Sequence, residues 1–171
     1  MRAIVLILCA VLLNGCLGMP ESVKPVSDFE LNNYLGKWYE VARLDHSFER
    51  GLSQVTAEYR VRNDGGISVL NRGYSEEKGE WKEAEGKAYF VNGSTDGYLK
   101  VSFFGPFYGS YVVFELDREN YSYAFVSGPN TEYLWLLSRT PTVERGILEK
   151  FVQMSKERGF DTNRLIYVQQ Q

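Results

Sequence analysis

Gly36-Lys37-Trp38-Tyr39-Glu40-Val41-Ala42-Arg43-Leu44 begins a succession of β-prone runs that closes on Tyr133-Leu134-Trp135-Leu136-Leu137-Ser138-Arg139. Between the runs at 37–44 and 133–139 lie six more, at 53–62, 67–74, 80–90, 98–104, 109–117 and 121–127. They are separated by Asn63-Asp64-Gly65-Gly66, Ser75 to Gly79, Asn92-Gly93-Ser94, Gly105-Pro106, Asp117 to Asn120 and Gly128-Pro129-Asn130. These turn chemistries, so closely spaced, predict antiparallel strands joined by hairpins. Eight such strands make either a closed barrel or a two-sheet sandwich.

Side-chain parity favours a container. In 133–139 one face carries Tyr133, Trp135, Leu137 and Arg139, and the other Leu134, Leu136 and Ser138. A strand apolar on both faces needs an interior on one side and a cover on the other. The same alternation groups Trp38 with Glu40 and Ala42, and Leu99 with Val101 and Phe103. Segment 80–90 sets Ala84, Gly86 and Ala88 opposite Glu83, Glu85 and Lys87, and small inward residues leave volume unfilled. The cover follows Thr140-Pro141, where Val143, Ile147, Leu148, Phe151 and Met154 recur at helical spacing before Gly159. One apolar stripe predicts a helix lying outside the sheet, with Pro141 in its first turn. Leu165-Ile166-Tyr167-Val168 then predicts a short ninth strand.

Threading eight up-and-down strands brings Trp38 and Arg139 to one end of the barrel, on neighbouring strands and with inward parity. A guanidinium over an indole is favourable by ~0.5–2 kcal/mol. Arg139 can also donate to carbonyls of the segment crossing beneath, which Gly36 lets approach. Gly36-x-Trp38 resembles the motif that opens the first strand of lipocalins, and Leu137-Ser138-Arg139 is similar to their last block. Asp117 and Tyr121-Ser122-Tyr123-Ala124 fall where lipocalins carry a middle motif, without its Thr-Asp-Tyr form. Trp38 to Arg50, Lys100 to Gly109 and Tyr133 to Pro141 resemble the bacterial outer-membrane branch, whose animal relative is apolipoprotein D. The resemblance implies an all-β fold over 31–171: an eight-stranded antiparallel up-and-down lipocalin barrel with a C-terminal helix outside and a ninth strand. It also implies a carrier of small apolar molecules, fatty acids or lysophospholipids in the bacterial branch. Many animal lipocalins fasten the C-terminal segment by a disulfide; here Phe160, Leu165 and Tyr167 must hold it.

The N-terminus reads as an export signal. Met1-Arg2 is a basic start, and Ala3 to Leu13 is an uninterrupted apolar core of about eleven residues, too short to span a bilayer. It closes on Leu13-Asn14-Gly15-Cys16, similar to the lipobox of bacterial lipoprotein precursors, which predicts a signal peptide at 1–15 and a lipid anchor on Cys16. Leu17, where Asp would signal inner-membrane retention, implies the outer membrane, at its periplasmic face. Residues 16–30, with Pro20 and Pro25 and no periodicity, read as a tether whose extended reach is roughly 48 Å. Removing Arg2 with the signal takes the formal charge from −3 to −4. An acidic chain without a basic run gives no reason to expect nucleic acid as a partner. Cys9 leaves with the signal and Cys16 is consumed by its lipid, so packing alone must hold the domain.

The predicted pocket wall is Leu99, Val101, Phe103, Tyr111, Val113, Tyr133 and Trp135. Each methylene of a chain buried there contributes roughly 0.8 kcal/mol. Arg43, His46 and Arg50 are placed at the mouth for a headgroup, and Phe48, Phe104, Phe107 and Tyr108 around the rim. Exposed aromatics call for a cover: a bound chain, a membrane, or a second copy in a homodimer. The alternative reading is an envelope interaction protein with a filled barrel that docks partners through this rim. Glu40 has inward parity, which calls either for a hydrogen-bond partner there, from tyrosine hydroxyls or Arg139, or for a strand twist that carries it outward. His46 beside Asp45 lacks a nucleophile, no His/Cys spacing suits a metal, and no phosphate loop is present. The expectation is a binding protein with no cofactor and no catalysis.

Overall fold

The computed structural model describes residues 17–171, so the signal and Cys16 lie outside the described residues. The strands are β1 (Gly36–Leu44), β2 (Leu52–Val61), β3 (Ile67–Ser75), β4 (Glu80–Phe90), β5 (Tyr98–Phe104), β6 (Phe107–Leu116), β7 (Tyr123–Ser127) and β8 (Leu134–Ser138). Each pairs antiparallel with the next, and β1 pairs with both β2 and β8, which closes an eight-stranded barrel. A short helix α1 (Leu31–Tyr34) crosses the end where β1 begins, and α2 (Arg145–Glu157) follows β8. The ninth strand, β9 (Leu165–Tyr167), pairs antiparallel with β1 at Ala42–Leu44.

Closure sorts the apolar side chains into two cores, as an eight-stranded barrel with an outside helix must. The inner core includes Trp38, Tyr59, Val69, Leu99, Val113 and Leu137. The outer one lies beneath α2, where Leu134, Leu136 and Phe125 meet Phe151. The alternation of β8 therefore splits as its two apolar faces required. Helix α2 starts at Arg145, four residues beyond Pro141, so Pro141 belongs to the connection and not to the first turn. The start of β7 is delayed to Tyr123 because the Asp117 carboxylate accepts backbone N–H bonds from Glu119, Asn120 and Ser122.

Two expectations are overturned. A β-bulge between Glu40 and Ala42 shifts the register of β1 against β8. The extra residue reverses parity, so Ala42 and Leu44 turn outward beneath α2 and Arg43, opposite Trp135, turns in. The segment expected as a free tether is packed instead. Val23 and Phe29 are buried, Val26 exchanges backbone hydrogen bonds with Val113 and Gly97, and Gly18 N–H donates to Ser110 Oγ at 2.9 Å. Apolar residues at 23, 26 and 29 had enough surface to gain from the wall, and proline kept the segment extended without preventing this.

The C-terminus is held differently from the expectation too. Phe160 and Leu165 join the outer core, but Tyr167 is exposed. The fastening is polar: Gln170 Nε2 donates to the carbonyls of Glu40 and Val55, and Gln54 N–H to that of Gln169.

Candidate functional site

The closed end is a floor with its hydrogen bonds made. The Arg139 guanidinium carbon lies 3.9 Å from the centroid of the Trp38 ring. Arg139 donates to the carbonyls of Asn33 at 2.7 Å, Lys37 at 2.9 Å and Tyr121 at 3.2 Å. Trp38 Nε1–H donates to the Tyr34 carbonyl at 2.8 Å. Gly36, at φ 93°, is required by its backbone angle; Arg139 Nη1 would stand 3.5 Å from a Cβ there, an ordinary contact, so the expected role of Gly36 in letting the segment approach is not needed. These bonds tie α1, β1 and the end of β8 into one plug.

Above the floor three phenols form a chain. Tyr111 Oη lies 2.6 Å from Tyr34 Oη and 2.8 Å from Tyr59 Oη. Burial pushes all three hydroxyls above the usual tyrosine range, so they stay neutral. Between these rings and Leu99, Val101 and Ala88 lies a cavity of about 10 Å³, the size of one water molecule.

Higher still, the inner wall opens. Val101, Phe103, Tyr111 and Trp135 pack against the inner core yet each keeps exposed surface. Of the small-residue face, Ala88 is buried, Ala84 is exposed, and Gly86 lies under the Phe103 ring. A Cβ at 86 would come within 2.9 Å of that ring, so much of the room left by Gly86 is filled by Phe103. Asn71, paired with Ala84 across the sheet, has a buried Oδ1 with no hydrogen-bond partner among the described residues.

At the mouth a charged cluster replaces the expected headgroup rim. Arg43 is 1 % exposed. It donates to Glu40 Oε1 at 2.7 Å and to the Glu49 carbonyl at 2.8 Å, so Glu40 is paired by Arg43 rather than by Arg139 or a tyrosine. The bulge brings this about: in a regular strand residues 40 and 43 would face opposite sides. The segment after β1 folds back over the opening. His46 Nε2 lies 2.8 Å from Glu49 Oε2, which also accepts from Trp135 Nε1 at 3.1 Å. The His46 ring contacts Phe48, Tyr133 and Trp135. Burial and the neighbouring Glu49 hold the Glu40 carboxyl well above the usual range. Burial also pushes Glu49 up, but His46, Trp135 and Arg43 outweigh it and leave Glu49 below that range.

Of the residues expected at the pocket, Leu99, Val101, Phe103, Tyr111, Val113 and Trp135 belong to the inner core. Tyr133 stacks on Trp135 at the opening. The rim is less unified. Arg50 is exposed and paired with Asp45, Phe48, Phe104 and Phe107 are exposed, and Tyr108 lies against Lys100 and Tyr89 on the outer wall. Sequence reasoning missed Glu49, Tyr34, Tyr59 and Asn71. Tyr59 was within reach, since it alternates with Val55 and Ala57 in a predicted strand; Glu49 sits in a turn and Tyr34 ends the short helix α1, where strand parity says nothing.

The chain matches the model of the lipocalin-like domain family over residues 29–170. It is 97% identical over all 171 residues, covering 100% of both chains, to a Vibrio cholerae serotype O1 protein named outer membrane lipoprotein Blc. An Escherichia coli K12 protein of the same name is 52% identical over 88% of this chain and 85% of its own. Mouse apolipoprotein D is 28% identical over 89% of this chain and 82% of its own. Insecticyanin from the tobacco hornworm shares the fold with a TM-score of 0.71 at 22% identity, covering 90% of this chain and 87% of that one.

Proposed function

Because this chain belongs to the lipocalin-like domain family, we propose that it binds single-tailed lipids, fatty acids or lysophospholipids, inside its barrel and holds or carries them in the bacterial envelope. It acts as a lipoprotein of the outer membrane, anchored through lipid on Cys16 at the periplasmic face, and performs no turnover. The observation that carries the reading is the upper inner wall. Val101, Phe103, Tyr111 and Trp135 point into the barrel, are apolar over most of their surface, and yet remain partly exposed. A hydrocarbon chain covering them gains the free energy of removing that surface from water. The cavity of about 10 Å³ at the floor is too small for a tail, so an entering chain must also move the Phe103 ring off Gly86. The headgroup stays near the opening, where Arg43 is already paired with Glu40 and Arg50 remains in solvent.

The small floor cavity favours the second reading, in which the barrel stays filled and the exposed Phe48, Phe104 and Phe107 dock a partner. Titration of the soluble Cys16-less domain with fatty acids and lysophospholipids of increasing length separates the two. Affinity should rise with each methylene until the bore is full, while Trp135 emission responds. A response independent of chain length would support docking through the rim. For the anchor, Cys16→Ser should abolish incorporation of radioactive fatty acid and release or misroute the protein; unchanged labelling would refute it.

A further inference from the structure

The exposed apolar surface at the open end lies at two places, Phe48 in the connection after β1 and the β5–β6 hairpin, where two rings stand together. Phe104 and Phe107, 70 % and 66 % exposed, flank the tip of the β5–β6 hairpin. The adjacent β3–β4 tip carries Glu76 and Glu77, both exposed. The N-terminal segment is docked on the phenylalanine side. From Gly18, whose N–H donates to Ser110 Oγ, to Val23 it lies against the outer core beside β5 and β6, and it then turns in at the closed end, where Val26 bonds to Val113 and joins the inner core. Ser110 is three strand residues from Phe107, roughly 10 Å. Cys16 is two residues from Gly18, a reach of at most about 7 Å. With no free tether, a lipid on Cys16 keeps the hairpin tip close to the bilayer.

We propose that the β5–β6 hairpin tip inserts the Phe104 and Phe107 rings into the same lipid leaflet that holds the anchor, so that the barrel mouth opens at the membrane surface. This rests on the reading that Cys16 carries lipid. Burying two phenyl rings in the interfacial region removes apolar surface from water, and the anchor supplies the proximity that two rings alone would not maintain. The acidic β3–β4 tip stays in water, which tilts the barrel toward its anchored side. A tail leaving the mouth then has a short path into the leaflet.

The test uses the processed, lipidated chain in vesicles of phosphatidylethanolamine and phosphatidylglycerol. The mature chain has no cysteine other than Cys16, so one spin label can be placed at Gly105→Cys, Glu77→Cys or Asn92→Cys in turn. A Cβ at Gly105 meets nothing within 4 Å, so the label should be tolerated there. Lipid-soluble oxygen should relax the label at 105 severalfold more strongly than an aqueous nickel chelate, with the reverse at 77 and 92. In a Phe104→Ser/Phe107→Ser background the label at 105 should become aqueous while lipidation persists. Mass analysis of the N-terminal peptide separates the two failures. A chain without lipid on Cys16 overturns the anchor reading and the insertion with it. A lipidated chain whose 105 label is nickel-accessible overturns the insertion alone. Protection of that label from both reagents, with dipolar broadening between copies, would show that a second copy covers the tip instead.

Discussion

The two ends of the barrel use polar chemistry in opposite ways. At the closed end, Arg139 spends its donors on three carbonyls and lays its face on Trp38. At the open end, Arg43 is more deeply buried than the half-buried Arg139, but its neighbours are ionisable and its Nε has no partner among the described residues. Arg139 joins backbone segments that cannot rearrange without unfolding. Arg43 joins Glu40 to a connection, residues 45–51, that folds back over a mouth. The closed end is tied through backbone carbonyls, whereas the open end keeps charge and aromatic surface where a ligand has to pass.

The largest effect expected from this contrast lies at the floor. Trp38→Ala should cost about 3–5 kcal/mol of stability, because it removes a large core side chain and leaves the guanidinium uncovered. Arg139→Ala should cost about 2–4 kcal/mol by leaving three carbonyls short of donors. The two losses should fall well short of additive in a double-mutant cycle followed by denaturant unfolding. Additive losses would show that the ring contact contributes nothing and that the floor is no more coupled than the mouth.

This end was also the most legible in the sequence. Trp38 lies in β1 and Arg139 directly follows β8, and strand count and parity alone put them together. Parity failed where regularity did. The bulge after Glu40 exchanged the faces of Ala42 and Arg43, and no residue near it, neither glycine nor proline, advertises the extra position. The docked segment at 17–30 was misread for a related reason. Its apolar residues at 23, 26 and 29 follow no helix or strand period, because Val23 is fitted to the outer core while Val26 and Phe29 enter the inner core at the closed end. Local pattern records a residue's own element well and a surface supplied from far along the chain poorly.

The next largest effect separates bore from rim. Leu99→Glu or Val101→Arg should weaken lipid binding at least about tenfold, roughly 1.4 kcal/mol, since each places a charge on the inner wall. Changes at Arg62 or Lys78, away from that wall, should leave affinity unchanged in the same fluorescence titration. Equal effects at both sets would move binding outside the barrel.

The phenol chain marks the boundary between the two regions. Three hydroxyls supply three protons and make two bonds among themselves, so one proton lacks an acceptor among the described residues. Tyr59→Phe or Tyr34→Phe removes one bond and leaves one surplus proton, at a cost of about 1 kcal/mol. Tyr111→Phe breaks both bonds and strands two donors, so its cost should be about twice as large. Equal losses from all three variants, measured by thermal unfolding, would show that Tyr111 is not the centre of the chain.

The smallest effect is the one that only the mouth can show, a dependence on pH. Glu40 has its carboxyl raised in the folded state by burial and by Glu49. The folded protein therefore holds that proton more tightly than the unfolded chain does. Glu40's favourable contribution is complete below the ordinary carboxylate range and is lost as pH rises through the raised value. Glu40→Gln removes this penalty while its side-chain oxygen can still accept from Arg43. The variant should gain on the parent as pH climbs from the carboxylate range toward neutrality and beyond. Glu49 carries the opposite sign, because His46, Trp135 and Arg43 hold it below the usual range. Its contribution is present above the ordinary carboxylate value and is lost as pH falls through the lowered one, so Glu49→Gln should cost most near neutrality and least in acid. The floor variants Trp38→Ala and Arg139→Ala should show neither trend, as no carboxylate enters their contacts. Parallel pH profiles for Glu40→Gln and Glu49→Gln would mean that the two carboxyls share one environment, and the asymmetry of the mouth would be lost with it.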